Sequence, residues 1–147
     1  MFTPTREQVR EFFVVAWRKH QAQEVLTALE TIVASIVLEH PEYHCLLASP
    51  DAMTRAFPPE DGQINPFLHM SLHLAIEEQL SINQPPGIRI AFETLCRLRS
   101  DRHNAMHDVL DCLGETMFKA LRDKGSPDGT AYLNSIRRRA GMPPVAD

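Results

Sequence analysis

Six of the seven histidines fall into three pairs at a spacing of four: His40 with His44, His69 with His73, and His103 with His107. Seven histidines scattered at random over such a chain give roughly 0.3 pairs of this kind. On a helix, residues four apart share a face with Cβ atoms about 5–6 Å apart, so two imidazoles can reach one metal ion. Two of the pairs continue into a carboxylate at the same spacing, Glu77 after His73 and Asp111 after His107. Imidazole with carboxylate suits Zn, Fe or Mn. A bound ion with an open position would acidify water for hydrolysis, and an iron site could handle oxygen. The expected principal ligands are therefore His69, His73, His103 and His107 of a divalent-metal site. His44, Glu77 and Asp111 are expected to complete or bridge it.

The first pair, "HPEYH", invites comparison with the zinc-protease motif His-Glu-x-x-His. It fails, because Pro41 stands where the glutamate belongs and breaks the helix that the motif requires. The sequence reads His40 as a helix-end residue and leaves His44, on the next short helix, as an extra ligand.

The elements that must position these residues are separated by prolines and glycines. "TREQ" at Thr5 and "TALE" at Thr27 are capping boxes. The first opens a helix with an apolar stripe of Val9, Phe12, Phe13, Ala16 and Trp17. The second opens a helix carrying Leu29, Ile32, Val33, Ile36 and Val37 inward and running into Pro41. A helical turn is expected around "PEYHCLLAS", and another over "PDAMTRAF" with Ser49 as its cap. Residues 58–64 read as loop. Asn65 caps and Pro66 opens a helix to about Ile82. "IRIAFETLCRLR" fits a helix through Ile88, Phe92, Leu95 and Leu98. Ser100 or Asp101 caps the longest helix, and "TAYLNSIRRRAG" is the last, stopped by Gly141. The expected architecture is all-α: a bundle of about five or six helices in a single domain, 1–140, with a loose tail at 141–147.

The direction of the histidines follows from the helix period. At ~100° per residue from Phe67, Ser71, Ala75 and Glu78 form the polar arc, and His69, His73 and Glu77 fall opposite it. On the longest helix the apolar arc centres on Val109, Leu110, Leu113 and Met117. His103 and His107 stand at one border of that arc, and Asp111 lies nearer the polar side.

Bulk properties exclude several classes. The net charge of −4 argues against a nucleic-acid binder. No stretch approaches the ~20 apolar residues of a membrane helix. Three cysteines without CxxC spacing argue against a disulfide framework, and the start "MFTPTREQVREFF" lacks the apolar run of a signal peptide, so a cytoplasmic protein is expected. The expected partner is a small molecule or a protein, with neither nucleic acid nor membrane.

The motifs "HPEYH", "NPFLHMSLHLAIEEQ", "QPPGIR" and "CLGE" with His103-x3-His107 upstream resemble a bacterial, mostly proteobacterial, family known as a domain of unknown function. The resemblance runs from "REQVREFFVVAWRKH" to "AYLNSIRR". It implies glutamate where this chain has Asp111 and tryptophan where it has Phe118, and it implies no activity. The architecture is also similar to helical-bundle metal proteins such as the hemerythrin-like and DinB-like folds, an analogy that does not give function. Two readings oppose a metal site: an interaction module whose histidines are hydrogen-bonded in the core, and bis-histidine haem ligation, for which no CxxCH motif is present.

Overall fold

Several of the helices start at a side chain accepting from the first turn's orphan N–H groups. Thr5 accepts from Gln8 N–H and Thr27 from Glu30 N–H, and each box closes reciprocally, as the sequence pattern predicts. Asn65 Oδ1 accepts from Phe67 N–H at 2.9 Å and Leu68 N–H at 3.4 Å. Asp101 accepts from His103 N–H. The resulting elements are α1 (Arg6–Gln21), α2 (Ala28–Leu38), a 3-10 turn (Pro41–Tyr43), α3 (His44–Ala48), α4 (Pro66–Ile82), α5 (Ile88–Arg99), α6 (Arg102–Arg122) and α7 (Gly129–Arg139).

The computed structural model describes residues 5–57 and 65–145. The loop expected at 58–64 and the tail residues 146–147 lie outside the described residues. The protein is an all-α helical bundle, with no strand among the described residues. No helix among them is long and apolar enough to cross a membrane. The chain divides into two compact units, residues 1–74 and 75–147.

In the first unit α1 packs on α2 and α3. Its core includes Phe13, Trp17, Val33, Val37, Leu47 and Met70, all buried. Burying a side chain of this kind contributes about 1.5–3 kcal/mol, which is why the apolar stripes decide where the helices lie. Leu29, expected inward, is 40% exposed, because α2 turns Val33, Ile36 and Val37 to the core instead. Lys19 of α1 and Glu30 of α2 are joined at 3.1 Å. The Thr27 N–H, then Lys19, holds the Glu30 carboxyl below the usual range.

The helix expected over "PDAMTRAF" is a run of turns, with Ala52 N–H donating to Ser49 O and Arg55 N–H to Asp51 O. The cause is Arg10. Its guanidinium, buried over the rings of Phe57 and Phe67, donates to the Ala52 and Arg55 carbonyls at 3.1 and 2.8 Å. Ser49, the expected cap, instead donates to the Asp51 carboxylate.

In the second unit α5, α6 and α7 pack on one another through Ile88, Phe92, Leu95, Val109, Leu133 and Ile136. Leu98, expected inward, is 60% exposed. Residues 141–145 are tied back onto α7 rather than loose: Met142 N–H donates to Arg137 O, and Asn134 bonds the main chain of Val145. Of the cysteines, Cys112 is buried, and that burial pushes its thiol up to about 11; Cys45 is exposed.

Removing the cap of α4 tests this ordering. Asn65→Ala is expected to cost about 1 kcal/mol. At roughly 2–4 °C per kcal/mol for a domain of this size, thermal melting should fall by about 2–4 °C. An unchanged melting temperature would mean that α4 is set by its packing alone.

Candidate metal centre

The site begins where α2 stops. Pro41 cannot continue a helix and keeps the preceding residue out of the helical region, so His40 sits at φ −126°, ψ 66°. That backbone folds the imidazole back over the last turn of α2. Its Nδ1 lies 2.7 Å from the carbonyl of Ile36, and the ring is 3% exposed. Tyr43, one 3-10 turn on, stacks parallel against it at 5.5 Å, and burial raises the Tyr43 phenol above its ordinary range.

A carbonyl oxygen only accepts, so Nδ1 of His40 carries the hydrogen, which leaves Nε2 as the position for a lone pair. This is the orienting contact that metal-bound histidines make. Nε2 of His40 lies 3.2 Å from Nε2 of His69, and Nε2 of His69 lies 3.2 Å from Nε2 of His73. Three imidazoles thus converge edge to edge, with interplanar angles of 66–77°. His73 is 1% exposed and His69 half-buried. The helix period foresaw the burial of His73 and the exposure of Glu78, but the buried face runs through Phe67, Met70, His73 and Ile76, so Ser71 and Ala75 of the expected polar arc are half-buried and Leu68, expected beside the histidines, is 53% exposed.

All three lie in the first unit and offer one nitrogen each to a common point, so they could hold a metal ion. His107 repeats the device of His40: its Nδ1 donates to the His103 carbonyl at 3.0 Å, which turns a lone pair out at Nε2.

These separations decide what the convergence can do. An imidazole nitrogen directs either one hydrogen or one lone pair along a single axis. In a neutral set, one hydrogen at His69 Nε2 can be aimed at His40 or at His73, or shared; it cannot form a full bond to both. A cation satisfies all of the nitrogens at once. Ligand nitrogens at about 2.0–2.1 Å from a tetrahedral ion stand roughly 3.3–3.4 Å apart, close to the spacing found here.

The other expected ligands are held elsewhere. His44 Nε2 lies 2.9 Å from the Val37 carbonyl, with its ring over Trp17 at 4.5 Å. Glu77 accepts from Arg102 at 2.8 Å. Asp111 is exposed and faces Arg139 at 3.5 Å. His103 and His107 lie in the second unit, where the two rings pack edge-on and the His103 carbonyl accepts from His107 Nδ1. The residue that sequence reasoning missed is His40. Its signal was the proline that seemed to disqualify it, because Pro41 is what turns the ring inward.

Comparison with known proteins follows the same boundaries. A family model described as a domain of unknown function matches residues 5–138. No curated protein and no solved structure matches the chain.

Proposed function

The chain belongs to the family described as Domain of unknown function (DUF1841), and from its own residues we propose that it binds one divalent transition-metal ion through His40, His69 and His73. The observation that carries this reading is the convergence of Nε2 atoms at 3.2 Å with the His40 tautomer fixed by Ile36. The ligand set favours Zn or Fe over Mn. Imidazole suits the first two, whereas Mn prefers oxygen donors, and the expected carboxylates Glu77 and Asp111 are taken by arginines.

The metal sets the role. Three imidazoles leave the fourth position of a tetrahedral Zn ion open for water, the pattern of a catalytic site. A six-coordinate Fe ion on the same ligands keeps three positions for water or a small molecule. In either case three neutral ligands leave the ion's double charge in place, so an anionic exogenous ligand is favoured over a neutral one.

The test is metal content of untagged protein after incubation with Zn or Fe(II) and gel filtration. One ion per chain is expected in the wild type and in Asp111→Ala, and none in a His69→Ala, His73→Ala double variant. A wild type that leaves the column metal-free would sink the reading.

A further inference from the structure

The core face of α6 runs through Ala105, Met106, Val109, Leu110, Cys112 and Leu113 and then ends, although the helix continues to Arg122. Beyond it Met117, Phe118 and Leu121 are 41, 67 and 79% exposed. With Gly114 they occupy one arc of about 100° on the helix. Among the described residues, no atom lies within 4 Å of where a Cβ on Gly114 would stand, so the start of this stripe has room for a contact. Side chains of this kind left in water forgo the burial that drives folding and association.

We propose that this half of α6 is the contact surface of a two-fold symmetric dimer, the occupant being a second copy of the same helix in antiparallel orientation. The charges beside the stripe argue for a copy over an unrelated partner. Paired antiparallel about the Phe118–Lys119 step, Glu115 falls opposite the second copy's Arg122, and Phe118 lies about 3 Å along the axis from the second copy's Leu121, within reach of its side chain. Two-fold symmetry repeats both contacts, so one match yields two ion pairs flanking an apolar centre. In the single chain Glu115 and Arg122 are engaged in exposed pairs, with Arg139 at 3.5 Å and Asp123 at 3.1 Å. Such surface pairs are weak, so exchanging them costs little.

The experiment is sedimentation equilibrium of the full chain across a concentration series, with circular dichroism to confirm folding. The wild type is expected at twice the 16.7 kDa chain mass. Phe118→Glu should give a folded monomer. Glu115→Arg should weaken dimerisation at least tenfold, about 1.4 kcal/mol, and Glu115→Arg with Arg122→Glu should restore it. A wild type that stays monomeric up to about 200 µM, where even a weak pair of Kd near that value would show, overturns the proposal. So does a dimer indifferent to Phe118→Glu, or a charge swap that fails to rescue.

Discussion

Metal-stripped protein is expected to melt roughly 5–11 °C lower than the same protein with Zn or Fe(II) at one hundred times its dissociation constant. A ligand at that excess stabilises the native state by about 2.7 kcal/mol, provided the unfolded chain does not bind it. For a domain of this length each kcal/mol moves the midpoint by about 2–4 °C. The native state should bind selectively because its ligands are assembled from distant parts of the chain: His40 follows α2, and His69 and His73 lie on α4. Unfolding separates these parts and leaves only the i,i+4 pair, His69 and His73. His40→Ala should therefore remove most of the increment, and His44→Ala should keep it, since the His44 ring is directed to Val37 O and Trp17. A melting temperature that ignores both ions would eliminate the metal centre.

Replacing His73 by leucine separates the two readings of the buried histidines by the sign of its effect. If the three rings are a hydrogen-bonded core feature, His73→Leu leaves buried polar groups short of partners and should cost about 1–3 kcal/mol. If they are a ligand set, the metal-free cluster is frustrated, because His69 Nε2 cannot bond fully to both neighbours. The variant then leaves one clean His69–His40 bond and adds apolar contact at a position 1% exposed. Metal-free His73→Leu is accordingly expected to melt no lower than metal-free wild type while losing the metal-dependent increment. Scanning calorimetry of both proteins with and without chelator measures the two quantities together. A drop of several degrees in the metal-free variant would favour the hydrogen-bonded core.

Much of this arrangement is written in short-range pattern. The two capping boxes, the Asn65–Pro66 start of α4 and the stop at Gly141 each depend on residues within a turn of one another, and each is found where the sequence puts it. The inward face of α4 is likewise a matter of period. What the pattern could not carry are contacts made across long separations. Arg102 captures Glu77 from 25 residues away and Arg139 faces Asp111 from 28, and both remove a carboxylate that spacing alone offered to the metal. Arg10 reaches the carbonyls of residues 52 and 55 and holds as turns a segment whose local signals favour helix. His40 and His44 were exchanged for a subtler reason. Both belong to the same motif, and which ring turns inward depends on main-chain dihedrals at one proline, which composition does not reveal.

The bond from His40 Nδ1 to the Ile36 carbonyl joins two residues four apart across a helix end. The acceptor is one of the last carbonyls of α2, which lack partners within a helix of this kind. One hydrogen therefore closes a helix terminus and selects the tautomer of a ligand. The consequence is modular. A helix ending in His-Pro carries its own ligand-orienting partner within five residues, so it can present a basic nitrogen without support from the rest of the fold. The same six residues, Ile36 to Pro41, grafted onto the end of an unrelated helix should deliver an imidazole with its hydrogen on Nδ1, which makes the segment a usable part for building metal sites elsewhere.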